Sequence, residues 1–461
     1  MRGLSESRIA CRYCRRSRNR RGFFHFDLSL SIQPGALEGR ALVAAGTRHV
    51  LWFAYSEDAP AVYPLLSDAA SAIEETIHVW NQWADACSYD GPYRQSVIRS
   101  ALTLKLLSFA PSGAIVAAPT TSLPEILGGN RNWDYRYCWL RDASYTAHVF
   151  SRIGYAAEAT AFLRWLMHAT ALTYPDLNVV YDVYGEASLS QTDVESLEGY
   201  QGSHPVRTGN QAFAQFQLDV YGEVLDGVWA CVKAGDNLDR EMRQRVLRMA
   251  ELVGSAWTLS DHGIWEIPHG RRHYVHSKVM AWVALDRAEQ IVRKLGVQAN
   301  IEPWQLAKAA IRRIVFEAGF SPGLGSFVQT FGSEEVDATA LTFAGVGFIE
   351  PDDPRVASTI RAIGTRLGDG DLVYRYRGHD GLAGTEGAFL PCSFWLVEAL
   401  EAIGQREEAR QLFERLQKLA NDVGLYSEEM NPVTGQMLGN FPQALTHLAH
   451  IGAALRLDHG R

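Results

Sequence analysis

The feature that most constrains this chain is a helical period of apolar residues that runs, with breaks, from residue 69 to near its end. SAIEETIHVWNQWADAC and, after Gly91-Pro92, YRQSVIRSALTLKLLSF place apolar residues three and four apart, the spacing of one helix face. Further helices are predicted at 140–153, 155–171, 207–219, 221–234, 236–256, 276–294, 303–318, 336–348, 354–366, 386–402, 405–420 and 442–456. Gly, Pro or Asp breaks separate many of them, and tight and loose connections alternate. A helix with one apolar stripe must bury it against a neighbour. Six helical hairpins closed in a ring, an all-α (α/α)6 barrel, account for this pattern. An α-solenoid is the rival, but it requires a recurrent consensus of about 20–50 residues, and none is found in this sequence.

The chain ahead of the helices reads differently. Residues 1–22 include CRYCRRSRNRR, a basic stretch without apolar periodicity, and are expected to form a disordered tail. Cys11 and Cys14 make a lone C-x-x-C with no further ligand pair nearby, so no zinc site is expected. In 23–68, FFHFDLSLSI and RHVLWFAYS alternate as strands do, around a turn at PGALEGR. Two or three strands do not make a stable sheet alone, so 23–68 is expected to be the remnant of a larger sheet and a linker. The barrel is expected over 69–461. A net charge of -8 speaks against non-specific nucleic-acid binding by the whole chain. No run reaches the ~18 apolar residues of a membrane span, and no apolar segment follows the basic start, so a cytoplasmic address is expected. Six scattered cysteines fit a reducing compartment.

The unusual chemistry lies in the long connections, where a rigid scaffold commonly carries its functional groups. GGNRNWDYRYCWLRDAS, residues 128–144, packs Trp133, Tyr135, Tyr137 and Trp139 among Arg131, Arg136, Arg141, Asp134 and Asp142. Flat rings suit the C–H faces of a sugar, and charged groups suit its hydroxyls. A buried ion-pair network locking a helix in place is the competing reading. Two carboxylate sites stand out. Glu266 follows Trp265 in GIWEIPHG, where ring and isoleucine neighbours raise a carboxyl's pKa toward a proton donor. Glu428 and Glu429 lie in GLYSEEMNP, where one of two adjacent carboxylates can stay ionised as a base. An acid and a base on opposite sides of the scissile bond are the minimum for glycoside hydrolysis, though most loop glutamates do no such work. His269, His273 and His276 do not share a helix face, since Gly270 interrupts them, and no metal is expected there. His447 and His450 lie on an apolar helix and read as core or rim residues. No phosphate-binding glycine loop, dinucleotide fingerprint or nucleophile elbow is present in the sequence.

GGNRNWDYRYCWLRDAS, the preceding AAPTTSLPE, GIWE followed by SKVMAWVALDRA, EGAFLPCSFWLVEAL and GLYSEEMNP, in this order, resemble glycoside hydrolase family 15. That family includes glucoamylases, glucodextranases and bacterial and archaeal trehalase-like proteins. The resemblance covers roughly residues 69–455. It implies an (α/α)6 barrel and hydrolysis of α-glucosidic bonds with inversion, without a cofactor. By position, Glu266 resembles the general acid and Glu428 the general base. Arg141 and Asp142 resemble the pair that holds the innermost glucose, with Tyr135, Trp139 and Trp265 as aromatic neighbours and Arg375 on the leaving-group side. The expected arrangement is a shielded acid and an exposed base, ~6.5–9.5 Å apart, with room for a water between them. Ile267 stands where fungal members carry a second Glu, so the leaving-group subsite is open. Glucoamylase-like release of glucose is the leading expectation and α,α-trehalose hydrolysis the alternative. Bacterial members carry a whole β-sandwich before the barrel, so the chain is expected to be N-terminally truncated. A catalytically impaired carbohydrate-binding remnant is the non-enzyme alternative. A lyase or phosphorylase on the same fold is the other enzyme class.

Overall fold

The computed structural model describes residues 8–11, 20–28, 31–33, 36–57, 66–267, 270–378 and 380–458. The chain divides into two compact units, residues 1–86 and 87–461. In the first, strands Arg8–Cys11, Arg20–Phe26 and Leu51–Glu57 form an antiparallel sheet in that order, with Phe24 opposite Phe53 and Phe26 opposite Leu51. The two strands expected from FFHF and LWFAYS therefore pair with each other. The strand Arg8–Cys11 falls inside the tail expected to be disordered. RIAC and Arg20–Gly22 of that tail both pair, and an open strand edge with free N–H and C=O groups is a ready template for RIAC. Cys14 lies outside the described residues. Helix α1 (Ala69–Asp85) belongs to this unit, so the barrel unit starts at Cys87 rather than at residue 69.

The second unit holds α2 (Arg94–Leu107), α3 (Leu140–Arg152), α4 (Ala156–Ala169), α5 (Asp219–Ala234), α6 (Arg240–Ala256), α7 (Val275–Leu295), α8 (Glu302–Ala318), α9 (Pro354–Leu367), α10 (Leu390–Ala402), α11 (Arg406–Leu416) and α12 (Ala444–Asp458). Packing runs α7–α5–α3–α12–α10 and on to the 3-10 turn Ala338–Thr342, and Phe343, which follows that turn, stacks on His276 of α7. These are the inner elements. α2, α4, α6, α8, α9 and α11 lie outside them. The sequence explains which is which. α11 buries Ala409, Leu412, Phe413 and Leu416, one stripe only, while Arg410 pairs with Glu407 and Glu414 on its wet side. Its larger apolar side chains contribute roughly 2 kcal/mol each. α12 is buried all round from Ala444 to Leu455, as an inner helix must be. Its His447 and His450 are core residues that share Ser100 and are held neutral by burial. No helix of the described residues is long and apolar enough to cross a membrane.

Two expected helices are absent. The 207–219 segment is a strand pair partner at Arg207–Thr208 and a 3-10 turn at Gln211–Ala214. Gly209 takes a positive φ of 81° and the Asn210 side chain caps Ala212, so turn chemistry overrides the apolar spacing of the segment. The 336–348 segment keeps only the 3-10 turn Ala338–Thr342. Asp337 caps it through the Thr339 amide and hydroxyl, and Gly347 turns left-handed at φ 79°.

α5 approaches both neighbours through glycines. A Cβ on Gly222 would lie 2.3 Å from the Met280 carbonyl oxygen of α7, and one on Gly227 would lie 2.8 Å from the Ser144 carbonyl oxygen of α3. Gly222→Ala must push two buried backbones apart. It is expected to cost roughly 3 kcal/mol, read as a lowered urea midpoint with an unchanged m-value. A midpoint within error of wild type would refute this close-packing account.

Candidate active site

The connections that enter α3, α5, α7, α10 and α12 all approach the N-terminal ends of inner helices, where free N–H groups and the positive helix ends point. Together they line a cavity of about 630 Å³. Tyr135, Trp139, Arg141, Asp142, Trp265, Glu266, Arg375 and Glu428 all line it. Short strand pairs hold the connections in place. Cys138–Trp139 pairs with Val180–Tyr181, and Glu429–Met430 lies between Ala388–Phe389 and Met437–Leu438.

Glu266 occupies a left-handed turn, φ 59°, unusual for a non-glycine residue and worth about 1–3 kcal/mol of local strain. Three contacts hold the turn. Arg141 donates to the Ile264 carbonyl at 3.1 Å, Gln215 donates to the Glu266 carbonyl at 3.2 Å, and the Trp265 indole donates to Asp337 at 2.8 Å. The Glu266 carboxylate accepts from the Trp139 indole at 2.7 Å. Burial pushes its carboxyl up, and the Arg141 guanidinium opposes that push.

Glu428 accepts from the Tyr135 hydroxyl at 2.7 Å through Oε1, while Oε2 has no hydrogen-bond partner. The Tyr135 and Trp139 rings meet edge to face, with centroids 5.3 Å apart. The two carboxylates are thus joined through one aromatic pair. Glu428 is only 2% exposed, so the expectation of an exposed base is corrected; Glu266 is the more open of the two. The reason is the three-stranded ribbon at 429–430, which draws both neighbouring glutamates inward. Burial raises the Glu428 carboxyl to about 7, with Arg375 and the Tyr135 hydroxyl pulling it down. Tyr135→Phe removes a donor that favours the charged form. The pKa of Glu428 then rises, by about one unit for a charge-assisted bond. Any activity that needs ionised Glu428 should have its ascending pH limb displaced upward by that amount, and an unmoved limb would refute the role given to this bond.

Arg141 holds Asp142 through Nε at 3.1 Å in the first turn of α3, and Asp142 is 1% exposed. Arg375 lines the cavity, but its fork closes on Glu386, with Nε to Oε1 at 2.7 Å. Its positive charge serves the site more than its free donors do. His273 and His276 stack separately on Phe331 and Phe343, and His269 lies outside the described residues.

Residues 91–455 match the family model of the glycosyl hydrolases family 15. The chain belongs to that family. A trehalase of Thermoplasma acidophilum is 41% identical over 387 residues, covering 84% of this chain and 66% of that one. A trehalase of Mycobacterium tuberculosis is 40% identical over 397 residues, covering 85% of this chain and 58% of that one. The chain thus spans about six tenths of the length of the curated relatives it matches. A bacterial glucoamylase solved with acarbose is similar in fold, with a TM-score of 0.67 at 16% identity, over 89% of this chain and 63% of that one. The six-hairpin barrel of family 15 is the fold found here.

At the wall of the family 15 cavity, which Glu125 itself lines, stands a group that the sequence did not reveal. Glu125, Glu386 and Glu429 are buried, with one oxygen of each within 4.8 Å of the others. Two carboxylates at that separation repel by about 3.5 kcal/mol at an effective dielectric near 20. Arg375 pairs with Glu386, and Arg131 forks onto Asp380 at 2.8 and 2.9 Å while also reaching Glu386. Burial pushes the Glu125 carboxyl up to about 8 and the Glu429 carboxyl well above the usual range. Arg375 and Arg131 supply the positive charge among these carboxyls. The sequence signals were SLPE, TEGAF and the second Glu of SEE, each silent about its partners.

Proposed function

We propose that this chain hydrolyses an α-glucosidic bond with inversion, and that its substrate is trehalose. One observation carries the reading: Glu266 and Glu428, far apart in sequence, reach a single cavity, each hydrogen-bonded to one ring of the Tyr135–Trp139 pair. Glu266 protonates the departing glycosidic oxygen. Glu428 takes a proton from a water that attacks the anomeric carbon on the opposite face. Arg141 and Asp142 hold the hydroxyls of the attacked glucose, and the rings lie against its C–H faces. Placing two rings between the carboxylates favours the wider separation that inversion needs over the close pair of a retaining enzyme. Trehalose is favoured over maltooligosaccharides because the relatives at 40% and 41% identity are named trehalases. The likeness to a glucoamylase is one of fold.

The test is glucose release from trehalose, maltose and isomaltose, with the product anomers followed by NMR. Inversion of trehalose yields one β- and one α-glucose, because only the attacked sugar changes configuration; retention yields two α. No glucose from any of the three by folded protein would overturn the hydrolase reading. Glucose from maltose and none from trehalose would overturn the substrate.

A further inference from the structure

Glu125 and Glu429 each satisfy one oxygen and leave the other alone. Glu125 Oε1 accepts from the Trp133 indole at 2.8 Å, and Glu429 Oε2 accepts from the Gly387 amide at 2.8 Å. Glu125 Oε2 and Glu429 Oε1 are buried without a hydrogen bond. Such orphans are rare, and each calls for an explanation. The two cations facing the pair are already committed, Arg375 to Glu386 and Arg131 to Asp380; Arg375 comes no nearer to Glu125 than 3.6 Å. The other carboxyls facing it are Glu386 and Glu428. The remaining titratable neighbours, Tyr135, Tyr374 and Cys392, are kept protonated by burial.

We propose that Glu125 and Glu429 keep one proton between them, as a carboxyl–carboxylate hydrogen bond, and that this pair positions Glu428 as the base. One oxygen of each lies within 4.8 Å of the other; a single proton between them supplies the donor that both orphans lack and halves the negative charge beside Glu428. With both ionised, the charge beside Glu428 would hold it protonated. With both orphan oxygens protonated, two O–H groups would face each other and one would lack an acceptor within the pair. The role of the pair as a positioning device rests on the hydrolase reading; the shared proton does not.

Two measurements separate these. Infrared spectra of the wild type at neutral pH should show a buried protonated carboxyl stretch that E125Q and E429Q each remove, whether or not the protein turns over any sugar. For activity, either single substitution leaves the pair's net charge at one and should leave the ascending limb of kcat/KM where it is. The double substitution E125Q/E429Q removes that charge and should move the limb down by about one pH unit, a tenfold gain below it. Difference spectra in which neither E125Q nor E429Q removes a protonated-carboxyl band overturn the proposal. So does a single substitution that already moves the limb, the result for two ionised carboxylates. So does a double substitution with no shift, the result for two protonated ones. If the double variant does not fold, the infrared band and the two single variants still decide.

Discussion

Glu266→Gln is expected to lower glucose release from trehalose by ~10³-fold or more, within the range that a positioned general acid supplies. The substitution keeps the shape of the side chain and its acceptor oxygen toward Trp139, so the turn at φ 59° has no reason to collapse. What disappears is the transferable proton. The loss should therefore depend on the leaving group. A substrate whose leaving group needs no protonation, such as α-glucosyl fluoride, should be turned over by the variant within about tenfold of wild type. Equal losses on trehalose and on the fluoride would show that Glu266 acts otherwise than as the proton donor.

Glu428→Gln should be at least as damaging, by ~10³–10⁴-fold, and here a better leaving group gives no relief. The water must still lose a proton as it attacks, and nothing else lining the cavity accepts from the Tyr135 hydroxyl in the same position. The expected contrast is the diagnostic: the fluoride rescues the acid variant and leaves the base variant slow. Rescue of both, or of Glu428→Gln alone, would reverse the assignment. The wild-type pH profile follows from the same pair. Activity rises as Glu428 ionises and falls as Glu266 loses its proton. Glu428 is raised to about 7 and Glu266 is raised by burial, so the optimum is expected above the range of ordinary surface carboxylates.

Much of the site was legible before any coordinates. Rings and charges crowded into residues 128–144 mark the floor of the cavity, and a Glu after a Trp or a Ser in an aromatic connection marks the two carboxylates. Arg141 and Asp142 fall in the first turn of α3 because the apolar period begins at Leu140. Exposure was not legible. Glu428 and Glu429 read as loop residues, yet both are buried because strands from 388–389 and 437–438 close over them. The fate of Arg375 was hidden for the same reason, since Glu386 reaches it only once the connection into α10 folds back. The two failed helices have a local cause. At 207–219 and 336–348 an Asn or Asp side chain captures the backbone before a helical turn can, and apolar spacing does not report that competition.

The sequence by itself determined most of the helices and the apolar stripe of the outer ones, and therefore a ring of hairpins with its chemistry in the connections, because periodicity is a property of neighbours along the chain. The tertiary structure alone decided which carboxyls lose water, which find a cation and which must keep a proton. Those outcomes depend on desolvation and on charges within a few ångströms, and groups that supply them here, Trp139 for Glu266, Arg131 for Glu386 and Tyr135 for Glu428, are brought together from segments more than 100 residues apart.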